Sequence, residues 1–463
     1  MKRALFIFHR DLRCHDNVAL IQACKKAEEV LPIFIFDPEQ VEKNEYFAVN
    51  AFKFLLESLE DLVQQLGGNL QVFYGNPLNV LQEIRQELAF DAIFFTTDYT
   101  PFARSRDAAV CEWARGEEIS CQMYEGLLLN SVKKTLKADG TPYTIFTPFY
   151  KNARQFVVSK PQELIEQKIC TQKIGSRVRI EDVGSKVARK YAEESVCSGG
   201  RTEGLIQLER FIEERVSQYE KGRDIPSLNA TSLLSAHLKF GTLSPREVFW
   251  RVDSISNQKA RDIFISELYW RDFFTQIGFY FPHVFEGEKN FRKMYDSLEW
   301  NNSEQKFCTW CNGHTGYPIV DAGMRELNRT GFMHNRVRMI VASFLVKDLR
   351  IDWKWGERYF AEHLVDYDPA VNNGNWQWAA STGCDAQPYF RIFNPWRQLE
   401  RFDPDCEYIK KWIPELRSCT AKEIKDLEKG IGLDGYVGLI VDHKVAVVKT
   451  KEMYAVCRVR NTD

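Results

Sequence analysis

The stretch that decides how this chain is read runs from Gly316 to Pro395. It begins GYPIVDAGMRELNRTGFMHNRVRMIVASFLVKDLRIDWKWGERYF and continues AEHLVDYDPAVNNGNWQWAASTGCDAQPYFRIFNP. Trp353, Trp355, Trp376 and Trp378 stand here among Asn, Asp and Arg side chains. Core tryptophans usually come singly and among aliphatics. Several of them beside Asn335, Asp366, Asp368, Asn372 and Asn373 point to a polar pocket with aromatic walls, suited to something flat. An aromatic cofactor, an everted base, or both would fit.

Upstream, apolar runs at 4–8, 31–36, 70–74 and 92–95 predict buried strands. Helical patterns at about 16–28, 47–66 and 78–88, with another near 105–115, alternate with them. That alternation predicts an α/β N-terminal domain with a doubly wound, Rossmann-like parallel sheet. No G-x-G-x-x-G follows the first strand and no Walker loop occurs anywhere, which speaks against ordinary dinucleotide or nucleoside triphosphate chemistry in this half. Downstream, helical patterns cover 203–219, 231–239, 244–252, 259–277, 318–330, 334–348 and 355–364, predicting an all-α C-terminal domain. The expected boundaries are an α/β domain over 1–128, a linker over 129–200 and a helical domain over 201–463.

A chain of 463 residues, 44% apolar, is long enough for two or three cores. Its 62 basic and 64 acidic residues leave a formal charge of −2, so net charge gives no sign of a nucleic-acid partner. A local basic patch on a neutral protein is compatible with one. Twelve scattered cysteines without a secretory signal predict reduced thiols and a cytoplasmic setting. No stretch has membrane-spanning length without charges, and no oligomerisation signal argues against a monomer. Cys308, Cys311 and His314 make half of a zinc pattern; lacking a second pair, they predict no metal site.

Four further motifs accompany the Gly316–Pro395 segment in order: HRDLRCHDNVAL (9–20), FTPFYKNA (146–153), TSLLSAHLKFGTLSPREVF (231–249) and ELYWRDF (267–273). Together they resemble the DNA photolyase and cryptochrome family, with the likeness greatest to the class I photolyases of cyclobutane pyrimidine dimers. The resemblance implies a light-dependent reaction on UV-damaged DNA. Reduced, anionic FAD in the helical domain donates an electron to a flipped dimer, which splits into two pyrimidines. The α/β domain of such proteins carries a second, light-harvesting antenna chromophore or nothing. Phe102 and Ala103 replace the Asn–Glu pair expected for a folate antenna, and DYTPFARSRD (98–107) is more similar to relatives with a deazaflavin, another flavin or an empty cleft. The chromophore's identity stays open.

For the flavin, the resemblance assigns Tyr219, the pyrophosphate-holding run Thr231, Ser232, Leu233, Leu234 and Ser235, and Phe264, Arg271, Arg338, Asp366 and Asp368. Hydroxyls and free N–H groups at a helix start suit phosphate, although Thr231 or Ser232 as a plain helix cap is the alternative. Leu233 replaces an Arg or Gly of many relatives, so only its backbone is expected to bind. Phe264 is expected to pack, and Arg338 to pair with Asp366. Asn372 takes the place facing flavin N5, where plant photoreceptor relatives carry an acid and insect ones a thiol.

For the substrate, the resemblance makes Trp270 and Trp378 the aromatic walls and Glu267 the acid that hydrogen-bonds the dimer. Trp270 and Arg271 share a helix face with Glu267 by spacing. Asn335 and Met339, at i and i+4, stand where (6-4) photoproduct enzymes use two histidines. Neither can donate and retrieve a proton, which argues against that substrate. Trp376, Trp353 and Trp300 match the chain of tryptophans that photoreduces oxidised flavin; core packing is the alternative for each. Phosphate contacts are assigned to Arg223, Arg336, Arg391 and Gln398, with Lys151 as a further candidate. The competing reading is a cryptochrome-like photoreceptor signalling to a protein partner; Asn372 and the absence of a long polar tail after the apolar run at 437–448 weigh against it.

Overall fold

The structure, a computed structural model, describes residues 1–164, 168–187, 194–287 and 289–460. Within the stretch expected to be linker, residues 165–167 and 188–193 therefore lie outside the described residues. Two compact units form. The first comprises Met1–Tyr191, Cys197–Glu214 and Ser232–Tyr280, and the second Ala192–Val196, Arg215–Thr231 and Phe281–Asp463.

In the first unit, β1 (Arg3–Phe8), β2 (Glu29–Phe36), β3 (Gln71–Tyr74), β4 (Ala92–Thr96) and β5 (Ser120–Tyr124) form one sheet in the order β3-β2-β1-β4-β5. Every pairing is parallel. The inner strands are nearly continuous apolar runs because helices cover both faces. The strand that the sequence did not reveal is β5, an edge strand reading SCQMY and only partly buried. Helices Val18–Lys26, Val49–Gln65, Pro77–Glu87 and Pro101–Gly116 match the predicted periods to within a few residues. Asn17, Asn76 and Thr100 cap three of them through side-chain oxygens.

Two of the quoted motifs meet in this unit. Arg13, fully buried, donates to Gly241 O at 2.8 Å, and Arg246 Nε donates to Asp16 Oδ2 at 2.9 Å. The Ser244 hydroxyl also donates to Asp16. Gly241, with φ +65°, lies so close that a Cβ there would sit 2.3 Å from Arg10 O. Residues 10–16 and 241–246 are thus tied by buried, charge-assisted bonds, which accounts for their motif-like appearance without any catalytic role.

One expectation is corrected here. Cys111, on helix Pro101–Gly116, and Cys121, on β5, form a disulfide with a Cα–Cα separation of 5.4 Å. The helix-to-strand turn brings them within bridging distance, a proximity that their spacing in sequence does not display. Cysteines 14, 170, 308, 311, 384, 406 and 419 are free thiols.

The second unit is helical, and all five strands lie outside it. Helix Pro318–Thr330 falls where predicted, and Asn335–Ser343 runs on into a π turn, Phe344–Asp348. Helix Trp353–His363 lies beside Pro369–Ala380, and helices Pro395–Phe402 and His443–Arg460 follow. The Pro369–Ala380 helix, AVNNGNWQWAA after its proline, gave no helical signal, since Asn and Gly disfavour helix. It forms because Asp368 caps it through Oδ1, accepting from Ala370 N and Val371 N at 3.1 and 3.2 Å, with Pro369 at the first helical position. Among the described residues, no helix is long and apolar enough to cross a membrane.

Candidate active site

In the second unit four of the expected flavin residues, Arg338, Asp366, Asp368 and Asn372, lie at or beside the start of helix Pro369–Ala380. Arg338 grips Asp366 with both arms, Nη1 to Oδ1 at 3.1 Å and Nη2 to Oδ2 at 2.9 Å. Its Nε donates to Met333 O at 2.7 Å. The expected pair is therefore present as a bidentate fork. Asp368 is buried and serves as the helix cap described above. Asn372, one turn into the helix, is buried as well, and its Nδ2 donates to Glu357 O at 3.0 Å and Glu357 Oε1 at 2.9 Å. Both amide hydrogens are thereby engaged on Glu357.

Glu357 is a residue that sequence reading missed. It is buried on helix Trp353–His363, and burial pushes its carboxyl up to about 7 against the opposing pull of the Asn372 hydrogen bond. Its only sequence signal is the setting WKWGERYF, a charge on the apolar face of an amphipathic helix.

His334 caps helix Asn335–Ser343 by accepting from Arg336 N through Nδ1 at 3.2 Å. Burial holds its imidazole down to about 4, so the ring is neutral at physiological pH. Asn335 is exposed at the first position of that helix and Met339 is half-buried one turn on. Tyr219 is buried at the start of helix Tyr219–Gly222, with the Arg223 guanidinium 5.5 Å from its ring centroid. Thr231 accepts through its backbone carbonyl from Arg215 at 3.4 Å.

Four of the expected tryptophans occupy the second unit's interior or its edge. Trp376 and Trp353 are 2% exposed, while Trp300 and Trp378 are half-buried against the same apolar cluster. The Trp376 ring presses on Gly356, where a Cβ would lie 2.2 Å from its Cη2. Gly356 is one turn from Trp353, so only glycine lets the two indoles' helices approach this closely. Asn301 N donates to Arg350 O at 2.7 Å and Asp352 N to Asn302 Oδ1 at 2.9 Å, fastening the Trp300 segment alongside the start of the Trp353 helix.

In the first unit, Glu267, Trp270 and Arg271 are all half-buried on helix Gln258–Tyr280, whereas Leu268, Tyr269 and Asp272 are buried. The shared face inferred from spacing is present. Phe146, also missed, stacks on Trp270 with centroids 3.6 Å apart and planes 7° from parallel. One indole face is thus already covered. Arg271 donates to Leu127 O at 2.5 Å and Leu238 O at 3.3 Å, so part of its guanidinium is committed to the backbone. Phe264 is buried with its ring 4.8 Å from Phe211, the packing role expected.

Helix Ser235–Phe240 begins after Leu234, and no side chain caps it. The simple capping alternative for Thr231 and Ser232 therefore fails: Ser232 Oγ instead accepts from Leu234 N at 3.4 Å, within the loop. Leu233 adopts φ +56°, a left-handed conformation that is costly for a leucine and natural for glycine.

The DNA-facing candidates differ in their surroundings. Arg391 and Lys151 are exposed and Gln398 is half-buried on helix Pro395–Phe402. Arg336 is bonded to Asp224 at 2.8 Å and lies 4.5 Å from the Phe402 ring centroid. Cys308 and Cys311 sit on helix Glu304–Cys311, and among the described residues no group of three His, Cys, Asp or Glu side chains is placed to hold a metal.

A second crevice opens in the first unit at the carboxyl ends of β1, β2 and β4, beside the β1/β4 position where the strand order reverses. His9, Ile35, Asp37, Phe95, Arg106 and Asp107 line it. Arg106 donates to Asp107 Oδ1 at 2.9 Å and lies 3.1 Å from His9 Nδ1. Burial holds the His9 imidazole well below its usual range and pushes Asp107 up to about 6. Arg106 and Asp107 end the DYTPFARSRD stretch singled out in the sequence; His9 and Asp37 were not anticipated.

A parallel α/β sheet followed by a helical unit rich in buried tryptophan is the architecture shared with flavin-binding photolyase structures. The chain belongs to the DNA photolyase family. A profile described as DNA photolyase matches residues 4–166, and one described as the FAD-binding domain of DNA photolyase matches 264–456. The deoxyribodipyrimidine photo-lyase of Escherichia coli is 36% identical over 99% of both chains. An archaeal photolyase from Sulfolobus tokodaii, solved with two FAD molecules, is 41% identical with a TM-score of 0.87, covering 98% of this chain and 99% of its own. A bacterial class III photolyase from Agrobacterium tumefaciens is 34% identical with a TM-score of 0.92, covering 99% and 98%.

Proposed function

We propose that this protein is a deoxyribodipyrimidine photo-lyase that binds UV-damaged DNA and, in light, restores cyclobutane dimers to two pyrimidines. Held by the residues named above, FAD would supply the one-electron chemistry that opening the dimer needs. The donor set suits that cofactor: Arg338 and Asp366 offer a fixed donor–acceptor edge, and the hydrogens of Asn372 are held by Glu357, leaving its carbonyl oxygen for a ligand. A carbonyl acceptor matches the N–H that reduced flavin carries at N5. This amide is the observation that carries the repair reading over a photoreceptor reading.

Tyr219, Thr231 to Ser235, Phe264, Arg271 and Asp368 complete the proposed flavin contacts. Glu267 hydrogen-bonds the dimer, Trp270 and Trp378 stack on it, and Asn335 and Met339 shape the pocket without exchanging protons. Trp270 does so with the single face that Phe146 leaves uncovered. Trp376, Trp353 and Trp300 return electrons to oxidised flavin, and Arg223, Arg336, Arg391 and Gln398 position the backbone of the DNA. Function divides as residues 1–128, a 129–200 linker and a 201–463 FAD domain, in a cytoplasmic monomer. The α/β domain, with its His9–Arg106–Asp107 crevice, is the candidate place for a second chromophore. Its titratable lining and its place at the switch point suit a polar heteroaromatic ring, and the Sulfolobus relative's second FAD is compatible with a flavin there.

The reading is tested by illuminating flavin-reduced protein with a dimer-containing oligonucleotide. Repair is expected in blue light and none in darkness. Dark repair, or no repair under illumination, defeats it. Glu267→Gln is expected to slow repair at unchanged flavin content.

A further inference from the structure

Lys347, in the π turn Phe344–Asp348, is a lysine buried to 1% exposure whose amine is met by neutral groups. Its Nζ donates to Ser381 Oγ at 2.9 Å and to Ala380 O at 3.3 Å, and lies 4.0 Å from the Tyr454 ring centroid. Tyr454, on helix His443–Arg460, is fully buried and donates its own hydroxyl to Ala380 O. Ala380 is the last residue of helix Pro369–Ala380, the helix that carries Trp378 in its final turn. Two side chains from distant elements thus converge on one helix end.

We infer that Lys347 is a positioning residue for Trp378: with Tyr454 it fixes the carboxyl end of helix Pro369–Ala380, and so the angle at which the Trp378 indole meets a flipped dimer. The inference rests on the reading of Trp378 as a wall of the dimer pocket.

A short path of bonds links the lysine to the indole. Ser381 Oγ accepts from Lys347, and Ser381 N donates to Trp378 O at 3.2 Å. Ser381 holds φ +65°, the left-handed conformation in which a helix usually ends on glycine. A serine there is strained, and what it offers in return is the hydroxyl that Lys347 grips. Beyond it the chain folds back, with Thr382 N and Gly383 N donating to Gln377 O at 3.0 and 3.1 Å. Helix ends fray, and Trp378 is only half-buried, so its own packing constrains it less than that of Trp376. Thr450 Oγ1 donates to Lys347 O at 2.5 Å, so helix His443–Arg460 fastens the lysine as well as the helix end. Burial holds the amine well below its usual range, favouring a neutral donor that fills these acceptors without the cost of a buried ion. A plain apolar side chain would pack here as well and would leave Ser381 and Trp378 free to turn.

The test measures, on the full chain in the dark, affinity for dimer-containing and undamaged oligonucleotides, with flavin content and Tm beside them. Ser381→Gly removes the hydroxyl and relieves the left-handed backbone. Its Tm is expected to be unchanged or higher, and its dimer affinity about three- to ten-fold weaker, part of the stacking lost in Trp378→Ala. Lys347→Met is expected to weaken dimer binding over the same range, with flavin content and affinity for undamaged DNA unchanged. In a Trp378→Ala background neither substitution should add a further loss. Should Lys347→Met fail to fold, Ser381→Gly decides alone. Full dimer affinity in Ser381→Gly, or a loss that adds to that of Trp378→Ala, overturns the positioning role while leaving the pocket reading intact. Unchanged dimer affinity in Trp378→Ala overturns both.

Discussion

The second unit treats two buried carboxyl groups in opposite ways. Asp366 is gripped on both oxygens by a guanidinium, whereas Glu357, on the helix just before it, accepts from a neutral amide, Asn372. The first arrangement fixes a charge, and the second suppresses one. The lesson is that acidic residues in this interior are not interchangeable: one is an electrostatic anchor and the other an orienting hydrogen-bond acceptor whose charge is costly.

The sharpest way to break that contrast is Asp366→Asn, which leaves Arg338 with its charge and without its fork. Removing one partner of a largely buried pair is expected to cost about 3–5 kcal/mol, read by denaturant unfolding, together with loss of bound flavin. A milder outcome, within a few tenths of a kcal/mol, would mean that solvent already screens the pair.

Glu357→Gln preserves an acceptor for Asn372 and should behave in the opposite manner. The native carboxyl titrates at about 7, above its unfolded value, so the folded state holds the proton more tightly. Stability from this group is therefore complete below the unfolded pKa and is lost as pH rises through about 7. Relative to wild type, Glu357→Gln should gain up to about 3 kcal/mol between acid and mildly alkaline pH, because each pKa unit is worth about 1.4 kcal/mol. Parallel pH profiles of wild type and variant would show that folding leaves the Glu357 carboxyl unshifted.

A smaller effect separates Trp270 and Trp378, the two tryptophans proposed to stack on the dimer. Trp378→Ala and Trp270→Ala are each expected to weaken binding of dimer-containing DNA by about 1–3 kcal/mol, measured by titration in the dark. Because Phe146 covers one face of Trp270, Phe146→Leu should reproduce part of the Trp270 loss and none of the Trp378 loss. The smallest effect contrasts two arginines. Arg391→Ala should lower the slope of log affinity against log salt by roughly 1. Arg336→Ala should lower it less, since Asp224 already neutralises much of that charge.

Those contrasts also mark what was legible in advance. The parallel sheet was readable because buried strands leave uninterrupted apolar runs, as at Leu5–Phe8 and Ile93–Phe95. The polar edge strand β5 and the Asn-rich helix Pro369–Ala380 were not, since neither carries the period of its own secondary structure. At the site, Arg338 and Asp366 were paired correctly on the strength of the family resemblance, since the local sequence alone offers Arg336 and Asp368 as rival partners. Glu357, Phe146 and His9 escaped notice, since each acquires its part only from what packs against it.

By itself the sequence determined residue chemistry and local period: which segments could be buried, which side chains could ionise, stack or give up an electron. Only tertiary structure decided which of these groups meet. It set Glu357 against Asn372, laid Phe146 on Trp270 and closed the Cys111–Cys121 bridge. The physical reason is that pKa values, stacking and electron transfer depend on distances of a few ångströms between residues far apart in the chain, and those distances are fixed by packing.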